Sequence, residues 1–280
     1  MKLRAVTWNL YLGGLDGDDE QRFDDQVGIL THLHPDILAL QECTSWDEKD
    51  RATRVADKLG MKIALMAPSY GADPAFRNFT ATLYRPDTFR LIDSRRRAVT
   101  AFHHALILTR LRPQDAPEDG SGDLTVLTTH LDWSGGEARL AEARRMTDYA
   151  GEFPGTPGRG LLMGDLNCPH PGDRIDWNLI PRNLRSRYCR INPDGTFGDA
   201  DLDAYHLLLA AGWQDPETLT GRPRAASVGH FYDNEPVPMR FDHILVSNLR
   251  VHACTTYDTA IARRASDHLP VILDAETTTP

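Results

Sequence analysis

Polar and apolar residues alternate over 3–8 (Leu-Arg-Ala-Val-Thr-Trp), which predicts a strand ending at Asn9. A loop with Gly13, Gly14 and Gly17 follows. Over 21–33, Phe23, Val27, Leu30 and Leu33 recur at three- and four-residue spacing, one face of a helix, and Pro35 lies past its end. Ile37-Leu38-Ala39-Leu40 is an unbroken apolar run, the mark of a buried strand, and it stops at Gln41-Glu42. The same reading predicts helices over 49–59, 136–150 and 202–211. It predicts strands over 61–67, 79–85, 88–93, 101–112, 124–130, 161–163, 240–246, 250–256 and 270–274. The polar stretch 113–123 separates two β-rich runs and reads as a long hairpin connection. Residues 168–199 are irregular and rich in Arg, Pro and Asp. Helices and strands interleave while several neighbouring strands are spaced to pair as hairpins. That pattern predicts two mixed sheets packed face to face with helices outside.

Composition narrows the class. The chain has 280 residues, 41% hydrophobic and 25% charged, with 31 basic against 40 acidic side chains and a net charge of −9. A chain of this size buries roughly three quarters of its unfolded surface, enough for a sizeable core. It has no run of ~20 apolar residues, so no spanning helix is expected. The first residues lack an apolar export segment, and a cytoplasmic location is the expectation. Cys43, Cys168, Cys189 and Cys254 form no CxxC pair and are expected to be reduced thiols, not zinc ligands or disulfides. The acidic balance argues against coating long nucleic acid by charge alone. It leaves room for a locally basic cleft, and it suits a divalent cation held by carboxylates.

Five β-rich runs end in or run into residues of one chemical kind: Trp8-Asn9, Leu40-Gln41-Glu42, Thr129-His130, Gly164-Asp165-Leu166-Asn167 and Ser266-Asp267-His268. A sixth, Arg240-Phe241-Asp242-His243-Ile244, places an acid inside a strand. Taken singly, each has a structural explanation: a turn, a cap, a hydrogen-bonded core histidine. Together they place carboxylates, amides and imidazoles at strand ends, where rigid scaffolds carry catalytic groups. An oxygen-rich donor set without thiolate favours Mg²⁺ or Mn²⁺ over Zn²⁺. His103-His104 are adjacent on a predicted strand, face opposite ways, and are poor joint ligands.

From Thr7-Trp8-Asn9 to Asp267-His268, the order and spacing of these motifs resemble the endonuclease/exonuclease/phosphatase superfamily. The resemblance implies a single domain over 1–280 with an α/β (α+β) four-layer sandwich fold. It also implies a divalent metal, Mg²⁺ with Mn²⁺ as substitute, and in-line hydrolysis of a phosphoester. By the same resemblance Glu42 is the main metal ligand, Asn9 lies beside metal and phosphate, and Asp267 is an acid near the metal. Asp165 orients or deprotonates the attacking water, and Asn167 donates to phosphoryl oxygens. His268 stabilises transition-state charge, Asp242 orients it, and His130 is a second phosphate-binding histidine. One departure stands out. The deoxyribonuclease branch supports that second histidine with a glutamate, whereas here Asn78 stands at its place before Tyr84-Arg85-Pro86. An amide cannot stabilise an imidazolium as a carboxylate does, so Asn78 is expected to contact substrate instead.

The shared core does not fix a substrate, which places selectivity in the insertions. The largest is 168–199. There Arg182, Arg185 and Arg187 are expected to grip phosphates, and Trp177 or Tyr188 to stack a ring. A second loop at 222–236 carries Phe231 and Tyr232, and Trp133 follows His130 closely. Three functions compete. The first is a metal-dependent phosphodiesterase or nuclease on a short, single-stranded or nucleotide-like substrate. The second is a phosphomonoesterase on a soluble metabolite phosphate, and the third a binding module that kept the fold. No obligate protein partner is indicated.

Overall fold

The structure, a computed structural model, describes residues 1–69, 77–153 and 155–277. In chain order its elements are β1 (Lys2–Asn9), α1 (Gln21–Leu33), β2 (Ile37–Gln41), α2 (Arg51–Leu59), β3 (Lys62–Pro68), β4 (Phe79–Tyr84) and β5 (Phe89–Arg97). Then come β6 (Ala105–Pro113), β7 (Leu124–His130), α3 (Gly136–Ala143), β8 (Gly160–Asp165), β9 (Cys189–Ile191), β10 (Phe197–Ala200) and α4 (Asp203–Ala210). The chain continues through α5 (Pro216–Thr220), β11 (Asp242–Ser247), β12 (Leu249–Thr256), α6 (Ala260–Ala265) and β13 (Val271–Thr277).

Two sheets form, in the orders β12-β13-β1-β2-β4-β3 and β11-β8-β7-β6-β5, with β9 and β10 as a separate pair. Only β1–β2 and β7–β8 run parallel among the described pairs. Strand periodicity explains the layering. Leu3, Ala5, Ile37 and Ala39 of the first sheet pack against Val126, Leu161 and Met163 of the second. The alternate residues Val6, Trp8, Leu38 and Leu40 face outward onto Phe23 and Leu30 of α1, Val55 of α2 and Ala262 of α6. On the far side Leu106, Leu127 and Leu162 meet Ala143, Tyr205 and Leu208 of α3 and α4. The result is the four-layer sandwich, helix–sheet–sheet–helix. β2, β7, β8 and β11 are buried at every residue, as their apolar runs required.

Some boundaries differ from the pattern. The helix expected over 136–150 ends at Ala143 and resumes as a short 3-10 turn, Thr147–Ala150. Past Ala143 the backbone tightens to three-residue bonds, Arg145 to Glu142 and Met146 to Ala143, and the Met146 carbonyl accepts both the Tyr149 N–H at 3.4 Å and the Trp213 indole at 3.1 Å. Segment 168–199 is not wholly irregular, because β9 pairs with β10 inside it. α5 and α6 are too short to show a helical period, and each is set by a capping side chain, Asp215 and Thr259. All four cysteines are free and buried. Among the described residues no helix is long and apolar enough to cross a membrane.

At one end of the sandwich the inter-sheet face turns polar. The parity of Leu3 and Ala5 continues into Thr7 and Asn9, that of Val126 into Thr128 and His130, and that of Leu161 and Met163 into Asp165. Thr7 donates to Gln41 at 3.3 Å, and Thr82 of β4 donates to Thr128 of β7 across the sheets at 2.7 Å. These side chains satisfy one another, whereas His130 Nδ1 and Asp242 Oδ1 beyond them have no hydrogen-bond partner among the described residues. Register then sets the neighbours: Asp165 stands beside His130 on one side and Asp242 on the other. Gly164 makes this closeness possible, since a Cβ there would sit 1.9 Å from the Thr129 carbonyl oxygen.

Candidate active site

Asp165 is the hub. Its Oδ2 accepts from Asn9 Nδ2 at 3.0 Å and lies 3.4 Å from His130 Nε2 and 3.7 Å from His268 Nε2. Its Oδ1 accepts the Asn167 backbone N–H at 2.7 Å. Burial lifts this carboxyl to about 7, with His268 pulling it down and Asp242 pushing it up. A carboxyl poised there can exchange a proton near neutral pH.

His268 precedes β13 and is held from both ends. Its Nδ1 is 2.8 Å from Asp242 Oδ2. Its backbone N–H donates to Ser266 Oγ, whose hydroxyl donates to the Asn9 carbonyl, and its own carbonyl accepts from Trp8 Nε1. Burial opposes the charged imidazole, but Asp242, Asp165 and Asp267 outweigh it and raise its pKa well above the usual value. Asp242 is fully buried and its backbone N–H donates to Ser227 Oγ at 3.2 Å. The conformation before it is fixed by Arg240, whose Nε donates to the Asp242 carbonyl at 2.6 Å and whose Nη2 pairs with Glu217 at 3.2 Å.

Glu42 and Asp267 form a second group, facing the same cavity. Glu42 Oε1 accepts from Asn9 Nδ2 at 3.3 Å and Oε2 from the Leu12 N–H at 3.2 Å. Burial and then the charge of Asp267 raise the Glu42 pKa. Two carboxylates that repel one another beside a cavity are a fit for a divalent cation, and the donor set is all oxygen. Ligand atoms of Asp165, Asp242 and His268 also lie within 4.8 Å of one another. There, however, the imidazole Nδ1 is engaged by Asp242 and its Nε2 stands 3.7 Å from Asp165, so the charges of that trio already offset one another and Glu42 with Asp267 suits a cation better. Glu42 and Asn167 both hold left-handed backbone, φ 54° and 49°. Such residues cost about 1–3 kcal/mol each and concentrate at functional sites.

His130 brings a feature the sequence did not disclose. Its ring stacks on that of His104, centroids 3.7 Å apart and planes at 3°. His104 Nδ1 is 3.0 Å from Ser69 Oγ. Burial holds His104 down to about 3 and His130 well below the usual range, so both rings are neutral. His103 and His104 lie in a bend before β6 rather than on the expected strand, and their rings do not point apart but meet edge to face with centroids 4.6 Å apart. The cross-strand partner of His104 was not legible either. Ala105 pairs in register with His130, which sets the residue before β6 against that ring. Asn78 does not replace a supporting carboxylate in any contact seen here. Its backbone carbonyl accepts from the Ser69 N–H, and its buried Oδ1 has no partner among the described residues.

A cavity of about 480 Å³ opens beside these groups, bordered by Glu42, Asn167, Asp267 and His268. Of the insertion residues, Arg187 and Tyr188 line it. Trp177, Arg182 and Arg185 do not. Trp177 packs onto a small core of Ile180, Tyr188, Val237, Met239 and Phe241, Arg185 Nε ties back to the Ile180 carbonyl at 3.0 Å, and Arg182 is exposed. The second loop supplies Phe231, Tyr232 and Glu235, and Tyr11 packs edge to face against the first two. Tyr11 and Glu235 carried no sequence signal, since both sit in loops without period. Asn167 Nδ2 donates to the Leu131 carbonyl at 2.9 Å, which fixes its amide at the cavity edge.

Known proteins place this geometry. No curated protein matches the chain in sequence. Among solved structures, the catalytic domain of human Nocturnin with bound sulfate superposes with a TM-score of 0.69 at 17% identity, covering 99% of this chain and 95% of that one. An endonuclease/exonuclease/phosphatase from Bacteroides vulgatus gives 0.67 at 17% identity, covering 99% and 100%. ANGEL2, described as a 2′,3′-cyclic phosphatase, gives 0.61 at 14% identity, covering 98% and 95%. At these identities the likeness is one of fold. The family model for the endonuclease/exonuclease/phosphatase family matches residues 6–268, from the strand that delivers Asn9 to His268 itself. The chain therefore belongs to the endonuclease/exonuclease/phosphatase family, whose members are phosphoester hydrolases that generally depend on a divalent metal.

Proposed function

We propose that the protein is a divalent-metal-dependent phosphodiesterase acting on a nucleotide-like or short single-stranded substrate. The observation that carries this is the convergence on Asp165 of Asn9, His130 and His268 within 3.7 Å, at the edge of a cavity that also exposes Glu42 and Asp267. Glu42 and Asp267, with Asn9 beside them, would hold Mg²⁺ or Mn²⁺. Bound there, the cation supplies Lewis acidity toward a phosphoryl oxygen.

The remaining chemistry belongs to the chain. Asp165, with Oδ2 toward Asn9, His130 and His268, takes a proton from the attacking water, and its pKa near 7 suits that exchange. His268, kept cationic by Asp242, places a positive N–H where the phosphorane gathers negative charge. Asn167 adds a neutral donor at the same rim. His130 acts as a neutral hydrogen-bonding group, because burial and its imidazole neighbours disfavour its charged form. Segments 184–188 and 228–239 shape the side of the site away from the reacting phosphate.

The test is hydrolysis of bis(p-nitrophenyl) phosphate and p-nitrophenyl phosphate, each with Mg²⁺, Mn²⁺ or EDTA. Metal-dependent cleavage of the diester, lost in Asp165→Ala, is the expected result. Cleavage of the monoester alone would replace this reading with a phosphomonoesterase. Failure on both, together with no metal-induced rise in melting temperature, would point to a binding module.

A further inference from the structure

The cavity is closed on the side away from Asp165 by two segments that touch. Arg187 lies over the Trp133 ring, its guanidinium carbon 4.8 Å from the centroid, and its Nη1 is 4.0 Å from Glu235 Oε1. That separation exceeds a hydrogen bond, and although the Tyr188 hydroxyl also engages Arg187, a guanidinium carries five N–H groups and keeps some for a ligand oxygen. Glu235 also takes a hydrogen bond from the Tyr188 hydroxyl. Across the cavity Tyr11, Phe231 and Tyr232 pack edge to face, with centroids 5.5 Å apart for Tyr11–Phe231 and 5.1 Å for Phe231–Tyr232. The Tyr232 hydroxyl reaches Asp267, which joins this aromatic wall to the carboxylates of the site. Between the walls lies an apolar floor that includes Met239 and Phe241.

Size, polarity and placement agree. A cavity of about 480 Å³ is of small-molecule size and too small for several residues of a polymer. Aromatic walls favour a planar group, a half-buried carboxylate favours hydrogen-bond donors, and a held guanidinium favours an oxygen-rich substituent. A duplex keeps its bases stacked inside and offers no such group without unstacking.

We propose that this cavity is a recognition pocket for the group esterified to the scissile phosphate. It takes one planar, hydrogen-bond-donating group of nucleoside size, with Phe231 and Tyr232 against its ring, Glu235 on its donors and Arg187 on an oxygen. Cleavage is thereby confined to small phosphodiesters and chain ends. The proposal rests on the reading above that Asp165 and His268 face the phosphate.

Two esters with the same leaving group test it: thymidine 5′-(p-nitrophenyl phosphate) and methyl p-nitrophenyl phosphate. The expected kcat/KM for the nucleoside ester exceeds that for the methyl ester by about tenfold or more, the scale of one base–aromatic stack. In Phe231→Ala and in Glu235→Gln that ratio falls toward one. A linear single-stranded oligodeoxynucleotide is degraded while its circular form resists. Equal kcat/KM for the two esters in the wild-type protein, or equal cleavage of circle and line, would overturn the pocket while leaving the phosphodiesterase reading intact. If neither ester is cleaved with any metal, the phosphodiesterase reading fails, and calorimetry still decides on the pocket. Thymidine 5′-monophosphate should bind the wild-type protein about tenfold more tightly than Phe231→Ala. Inorganic phosphate binding as tightly as the nucleotide would refute it.

Discussion

The fully buried Asp242 carboxylate contacts His268 through one oxygen, while its other oxygen has no hydrogen-bond partner among the described residues. On the function proposed above, its main task is electrostatic: it favours the charged imidazole and aims it. Asp242→Asn preserves shape and removes that charge. It is expected to lower kcat by about 10²–10³, the usual scale for a lost charge-stabilising group, with melting temperature little changed. The His104–His130 stack makes a second case. His104→Ala removes a ring packed flat on His130 and should lower kcat through a looser His130, whereas His104→Phe should restore most of it. Equal losses in both variants would show that His104 matters through its nitrogens instead. Glu142 gives a prediction in pH. Its buried carboxyl accepts the His103 and Asp132 N–H groups at 2.7 Å each, yet burial raises its pKa to about 7. The folded value lies above the unfolded one. Its stabilising contribution is thus full below about pH 4.5 and is lost as pH rises through 7. The melting-temperature advantage of the wild-type protein over Glu142→Gln should be larger at pH 5 than at pH 8.

At the scale of elements, β7 and β8 are a parallel pair whose ends place His130 and Asp165 side by side. The pairing leaves no space for a side chain at Gly164. Gly164→Ala would set a methyl carbon 1.9 Å from the Thr129 carbonyl, so the strands must part. A loss of stability of about 1–3 kcal/mol and a larger loss of activity are expected, read by denaturant unfolding and diester hydrolysis. The strand ends were the legible part of this molecule. Period-two burial carried the chain from Ala5 to Asn9 and from Met163 to Asp165 on one face, so polar residues closing apolar runs had to gather at one rim. Segments without a period were not legible. Tyr11, Tyr188 and Glu235 border one cavity only because three loops fold over the same rim, and no spacing records that. The four arginines of 182–190 read alike in sequence, yet only Arg187 reaches the cavity, since the local core around Ile180 and Tyr188 fixes which way each points. The helix expected to run to 150 tightens into 3-10 geometry past Ala143, a change that the apolar spacing of 136–150 does not record.

At the scale of the whole molecule, a net charge of −9 works against an anionic substrate even though the site itself is built for one. Raising ionic strength from about 0.01 to 0.15 M shortens the screening length from about 30 to 8 Å. At fixed Mg²⁺, kcat/KM for a linear oligonucleotide should rise or stay level over that range, opposite to a basic nuclease that binds by counterion release. Metal binding should register globally as well. Mg²⁺ or Mn²⁺ at 100 times its Kd stabilises the fold by about 2.7 kcal/mol, seen as a higher melting temperature, and Glu42→Gln should abolish most of that rise. The pairing of β1 with β13 has a further consequence. Lys2 lies opposite Glu276, and Asn9, at the end of the first strand, accepts a hydrogen bond on its carbonyl from Ser266. The rim is thus completed by residues some 260 positions apart in the chain. A ribosome must have released the chain past His268 before His268 can join Asn9. Until then the nascent chain carries a β1 without one neighbour and a carboxylate cluster without its imidazole. On the function proposed above, hydrolytic activity should appear abruptly, only after β13 has been synthesised.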